Sequence, residues 1–242
     1  MSAAESTPAA PTLRQRRRAA ATREIVDAAA RQVAEHGPSA LSLRAVARSL
    51  GMTVQALYHY FPSRDDLVTV LIAEAYDDLA DAVRDAMEAP RDPGLPGVVT
   101  AAEGYRRWAI AHPERFQLLY GTPLRYYSAP AEGPTTLAMR RIGEIFEREL
   151  FAGYTTKQLA SAETAALSPE LLAYLEQLPP MGMRGIPAPA TALLMSAWGH
   201  MHGLVVLEVF GHTGFLGDHQ AEIFRMAMCD MAAGMRSRIP AV

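Results

Sequence analysis

Leu41–Leu67 reads LSLRAVARSLGMTVQALYHYFPSRDDL, and the fold is decided here. Leu43, Val46, Ala47 and Leu50 recur at helical spacing, which predicts a short helix from Ser42, a suitable N-cap, to Leu50. Gly51 can take the left-handed backbone of a sharp turn. Thr53 then caps a second short helix, Val54–Tyr60, closed by Phe61-Pro62. Two helices of about two turns, joined by a Gly-containing turn of about three residues, are the layout of a helix-turn-helix.

Upstream, Ile25, Val26, Ala29 and Val33 give one buried stripe on a helix from Ala19 to Glu35, stopped by Gly37-Pro38. Arg14, Arg16, Arg17 and Arg18 cluster just before it. Met1–Leu13, rich in Ala, Pro, Ser and Thr, reads as disordered, so residues 1–16 are expected to be a disordered basic arm. Downstream, Ser63 and Asp66 resemble a capping box for a longer helix, Arg64–Met87, with Leu67, Val70, Leu71, Ala75, Leu79 and Val83 in period. A Pro/Gly break covers Ala89–Gly97. Beyond it the patterns are helical: roughly Val98–Ala111, Pro113–Tyr120, Thr135–Phe151, Pro169–Gln177, Pro189–Phe210 and Gly217–Ser237. Tyr126–Pro134 and Leu178–Pro189 read as loops. No strand-period run or internal repeat occurs. The expected class is all-α: a three-helix head over 17–64, joined by a long helix to a C-terminal bundle within 65–242.

The 242 residues are half apolar and one-fifth charged, ordinary for a soluble globular chain and incompatible with wholesale disorder. One cysteine, Cys229, excludes a disulfide framework and a Cys-based zinc site, and Met1–Pro11 lacks the apolar stretch of a secretory signal, so a cytoplasmic location is expected. The net charge of −3 is unevenly spread. Residues 1–64 carry nine Arg against four acids, and residues 65–242 carry 14 basic against 22 acidic residues, making a basic head on an acidic body.

Basic residues ahead of a helical trio are an electrostatic footprint of nucleic-acid binding. In a helix-turn-helix the second helix enters the major groove and its exposed side chains reach base edges. Leu57 and Phe61 point inward, leaving Thr53, Gln55, Ala56, Tyr58, His59 and Tyr60 outside. Gln55 matches adenine bidentately, and Ala56 can meet a thymine methyl. Tyr58, His59 and Tyr60 cannot form one packed stripe, because three consecutive residues do not share a side of a helix. Arg17 and Arg18 are placed to engage phosphates or a minor groove, against the alternative of a solvated flank.

The run Leu41–Gly51 followed by LYHYFPSRDDL, residues 57–67, resembles the DNA-binding region of TetR-type transcriptional regulators over about residues 17–70. The resemblance implies that Gln55, Ala56, Tyr58, His59 and Tyr60 face double-stranded DNA. It also implies that Arg44 reaches a base or phosphate and that Ser42 and Tyr58 hold phosphates. Arg64 stands where the family usually has Lys. In the distal half, Tyr105–Phe116 together with Trp198, His202 and Gly203 resemble the WHG-type regulatory domain of some of these regulators, implying a ligand-sensing, dimerising body. Tyr105, Trp108, His112, Phe116, Tyr120, Trp198 and His202 are the candidate pocket residues for a small-molecule effector, offering aromatic walls with a few polar handles.

Other readings carry less. His200 and His202 diverge by about 200° on a helix, so no shared metal ion is expected. There is no Gly-rich phosphate loop, nucleophile elbow or recognisable carboxylate pair, so neither a cofactor nor an enzyme is expected. Ala190–Phe210 is long enough to cross a membrane, but His200, His202 and Glu208 within it argue against a span. Burial on both faces, one of them against a second subunit, explains it better. Phe224, Met228, Met231 and Met235 read as another partner-facing seam, giving a homodimer through the last two helices. The expected function is repression at a near-palindromic operator, relieved when an effector moves Arg64–Met87 as a lever. The alternative is an activator or a ligand-independent regulator with the same head.

Overall fold

The structure, a computed structural model, describes residues 12–90, 92–121, 127, 133–177 and 185–241. Most of the expected disordered arm, and most of the two loops around residues 126–134 and 178–189, lie outside the described residues. All regular structure among the described residues is helical. The chain divides into two compact units, one of residues 1–71 with 122–128, the other of 72–121 with 129–242.

The first unit holds α1 (Leu13–His36), a 3-10 turn (Pro38–Ala40), α2 (Leu43–Ser49), α3 (Val54–Tyr58) and the first residues of α4 (Arg64–Glu88). α1 begins at Leu13, six residues before the expected start, so Arg14, Arg16, Arg17 and Arg18 lie on its first turns and residues 13–16 are helix, not arm. A capping box starts it. The Gln15 N–H donates to the Thr12 hydroxyl at 3.3 Å, and the Thr12 N–H donates back to the Gln15 carboxamide at 2.7 Å. These turns are exposed on every side, so they show no apolar stripe to read. Gly37, at φ 78°, ends the helix with its N–H on the Val33 carbonyl.

Ile25, Ala29, Val46, Ala47, Leu57, Leu67 and Val68, each almost fully buried, form the core of this unit. Ser42 occupies the expected N-cap position in extended backbone, yet its hydroxyl makes no capping bond. Its N–H donates instead to Gln32, fastening the start of α2 to α1. Gly51 turns the chain at φ 64°. Thr53 does cap α3, accepting the Ala56 N–H at 3.1 Å. α3 is shorter than expected: it stops at Tyr58, and His59 and Tyr60 lie in the following turn, where Pro62 disfavours helical backbone at Phe61. The Ser63–Asp66 capping box forms as expected.

The second unit comprises the rest of α4 with α5 (Gly97–Ala111), α6 (Pro113–Tyr120), α7 (Pro134–Phe151), α8 (Thr156–Ala160), α9 (Pro169–Gln177), α10 (Ala188–Val209) and α11 (Gln220–Ser237). α8 has no counterpart in the sequence reading; its five residues rest on a Thr155–Gln158 capping box, with Leu159 buried. α11 starts at Gln220 because Gly217, at φ 54°, interrupts the preceding 3-10 turn. α5 is central. A Cβ on its Gly104 would lie 2.8 Å from the Ala86 Cβ and 3.2 Å from the Val83 Cα, so the missing side chain is what lets α5 approach α4.

Arg106 on α5 and Glu208 on α10 form a two-pronged ion pair that is largely buried, the side chains retaining 13% and 9% exposure. The Arg106 guanidinium also lies 5.7 Å from the Phe224 ring centre on α11, so one cation ties three helices together. This pair accounts for the acid in the apolar α10. By length and composition alone α10 could cross a membrane. Its Leu193, Leu194, Ala197, Met201 and Val205 are buried in its own chain, as befits a core helix.

The expected seam on α11 is corrected. Phe224, Met228 and Met235 are buried within the chain, and Met231 packs against the cluster of Leu193, Leu194, Ala197 and Ile239. The intramolecular contacts of α5 and α10 claim that face, and the exposed large apolar residues of α11 are Ile223 and Met226 on another side.

Candidate nucleic-acid interface and aromatic site

Three parts of the first unit carry the sequence-nominated residues of the head. Thr53, Gln55, Tyr58 and His59, on α3 and its ends, are exposed, with Ala56 and Tyr60 partly so. Leu57, fully buried, anchors the opposite side of α3. A helix of five residues held by one buried leucine thus presents an amide, a phenol and an imidazole to water. Arg44 on α2 and Arg17 on α1 are exposed cations, and Ser42 is half-buried. Arg64 is half-buried too, and its Nε donates to the Leu41 carbonyl at 3.2 Å. Arg18 differs from the other arginines of α1: its Nη2 donates to the His59 carbonyl at 3.0 Å and its guanidinium lies 5.2 Å from the centre of the Tyr60 ring. Arg48, an exposed cation in the last turn of α2, was not nominated from sequence. Its place among core-facing residues gave no motif signal.

Inside the second unit, five of the seven nominated pocket residues meet. Tyr105, fully buried on α5, makes edge contacts with Phe116 and Trp198. Tyr120 meets His202 edge-on with 4.6 Å between ring centres, and Trp198 stacks on His202 at 5.3 Å, nearly parallel. The Tyr105 hydroxyl is 2.8 Å from His202 Nδ1. Burial holds the His202 imidazole below its ordinary value and pushes the Tyr105 and Tyr120 phenols up, so all three stay uncharged near neutrality. Phe146 on α7 and Tyr76 on α4 complete the cluster. Sequence reading missed both, since each looks like an ordinary stripe residue on its helix.

Trp108 and His112 stand apart from these rings. The Trp108 indole N–H donates to Asp78 at 3.0 Å, a carboxylate it shares with Arg115, and its ring lies 5.6 Å from His112, which is exposed. A separate cleft of about 310 Å³ opens where the start of α5, the end of α7 and α11 come together, lined by Gly97, Glu149, Tyr154, Met235 and Arg236 among others. It contains no nominated residue.

A helix-turn-helix with an exposed polar second helix, ahead of a separate helical body, defines a DNA-binding regulator. Residues 25–71 match the family of bacterial regulatory proteins of the tetR type, and residues 98–231 match the tetracyclin repressor-like C-terminal domain. The HTH-type transcriptional regulator Mb1846 of Mycobacterium bovis is 36% identical over 192 residues, which span 79% of this chain and 81% of that protein. The crystal structure of SCO4313, described as a regulatory protein, superposes with a TM-score of 0.69 at 32% identity, covering 91% of this chain and 98% of that one. A TetR variant from Acinetobacter baumannii, crystallised in complex with minocycline, shares the fold at a TM-score of 0.52 and 18% identity, over 90% of this chain and 97% of that one. The chain belongs to the TetR family of transcriptional regulators: it is a DNA-binding protein and not an enzyme.

Proposed function

We propose that the protein is a cytoplasmic, homodimeric repressor that binds a near-palindromic operator and leaves it when a small molecule occupies the aromatic site of the body. The exposed polar face of α3 beside the arginines of α1 and α2 carries the first half of this reading. One recognition helix per chain needs a second copy to read two half-sites, spaced about 34–36 Å or a multiple apart. The outward faces of α10 and α11 supply the surface for that copy. Met195, Leu207, Ile223 and Met226 are exposed apolar residues there, and Gly199, Gly203 and Gly234 have open space where a Cβ would be. No contact among the described residues explains glycine at those helical positions, whereas close approach of a partner helix does.

The effector half rests on Tyr105, Phe116, Tyr120, Trp198 and His202, joined by Tyr76 and Phe146. Such walls suit a planar, largely apolar molecule with one or two hydrogen-bonding groups for Tyr105 and His202. The fold-level relative that holds minocycline supports a ligand site in this body plan. α4 runs unbroken from Arg64 to Glu88 and brings Tyr76 to the aromatic cluster, so it is the segment through which occupancy would move the head. A coupling of about 1–3 kcal/mol would weaken operator binding roughly 5–150-fold.

DNase footprinting on the intergenic DNA flanking its gene tests the central claim. Two protected half-sites related by a dyad are expected. Arg44→Ala should weaken that protection by about 1–3 kcal/mol with the melting temperature unchanged. A single unpaired half-site, or an equal loss of stability in the variant, would defeat the proposal.

A further inference from the structure

α3 is only five residues long, too short to persist without outside support. Its Ala56 and Leu57 carbonyls accept from the His59, Tyr60 and Phe61 amides of the turn that follows, so the geometry of that turn fixes the end of the helix. Leu57 holds its inner side, and a hydrogen bond reaches its C-terminal end from Arg18, 41 residues upstream. One guanidinium does two things there: it donates to the His59 carbonyl at 3.0 Å and covers the Tyr60 ring at 5.2 Å. A cation at a helix C-terminus also opposes the negative end of the helix dipole. Arg14, Arg16 and Arg17, on the same turns and exposed like Arg18 itself, show no such engagement with α3.

We infer that Arg18 is a positioning residue for sequence readout, clamping the end of α3 so that Tyr58 and His59 sit in register with the groove, and that it is not one of the phosphate-binding arginines. The inference rests on the reading of α3 as the helix that contacts bases. It makes the capping box at Thr12 and Gln15 part of the recognition apparatus, because that box orders the turns carrying Arg18.

The two roles separate by their salt dependence. A lost phosphate contact shrinks the slope of log affinity against log salt by about 0.9 and leaves sequence preference intact. A misplaced reading helix lowers preference for the correct site at unchanged slope. The probes are the consensus duplex that the wild-type protein enriches from a random 20-bp library and a scrambled duplex of the same composition. Arg18→Ala should lower the consensus-to-scrambled affinity ratio roughly tenfold, the scale of one base contact, with the salt slope unchanged. Arg17→Ala should shrink the slope and keep the ratio. In the free protein, Arg18→Ala should also speed hydrogen exchange at the Tyr60 and Phe61 amides, which bond to the Leu57 carbonyl at 2.9 and 3.1 Å. A shrunken slope, an unchanged ratio or unaltered exchange for Arg18→Ala overturns the clamp. Failure of the wild-type protein to enrich any consensus would instead overturn the reading of α3 itself, and the clamp with it.

Discussion

His202 concentrates the chemistry of the body in one side chain. It faces the Tyr105 hydroxyl through Nδ1, lies against Trp198 and Tyr120, and is held below its ordinary value by burial. The folded chain therefore binds fewer protons at this site than the unfolded chain just below the ordinary imidazole value of 6.5. Stability rises with pH wherever the unfolded state binds more protons. Thermal melts should thus show stability falling as pH drops from 7.5 through 6.5, then levelling once the folded protein also protonates. His202→Gln should flatten this dependence, and a melt profile equally steep in the variant would remove His202 as its cause. At this scale the sequence was uneven. It nominated Tyr105, Phe116, Tyr120, Trp198 and His202, which do meet. It also nominated Trp108, whose indole turns to Asp78, and His112, which faces solvent. Residues one turn apart on a helix look equivalent in a string, while the packing of α4 and α6 decides which of them share a space.

Among the elements, the α4–α5 contact is the most demanding. Gly104 allows backbone-level approach, and the next carbon on either side is already at or inside contact distance. Gly104→Ala would gain helix propensity of about 1 kcal/mol in isolation. Here the added methyl meets Ala86 and the Val83 backbone, neither of which can rotate away. Overpacking costs typically about 1–3 kcal/mol, so the net effect in urea titration should be destabilising. A more stable variant would mean that the helices separate freely. The period of apolar residues found every long helix from 17 onward, because burial of a stripe is what that period records. It misplaced the start of α1 and overlooked α8, where side-chain caps rather than burial set the boundaries.

For the molecule as a whole, the question is what covers α10 and α11. Met226 is 54% exposed and Ile223 lies three residues before it on the same side of the helix. In an isolated chain Met226→Glu would be a surface change costing within about 0.5 kcal/mol. In the proposed dimer it would bury an unpaired carboxylate. Light scattering should then report a dimer for the wild-type protein and a folded monomer for Met226→Glu, with operator affinity lost. A variant that stays dimeric would move the interface elsewhere. The uneven charge, basic over residues 1–64 and acidic beyond, fits a molecule whose body repels the duplex that its head attracts.

Sequence alone determined the helical class, the helix-turn-helix and the polar outer positions of α3, because each follows from local periodicity, turn chemistry and capping within a few residues. Tertiary structure decided which faces of α10 and α11 are spent inside the chain, that Glu208 belongs to Arg106, and that Arg18 grips the end of α3. Those pairings join residues from 41 to over 100 positions apart. No local pattern encodes them, since a charged or aromatic side chain carries the same preference toward every complementary partner until packing brings one within reach.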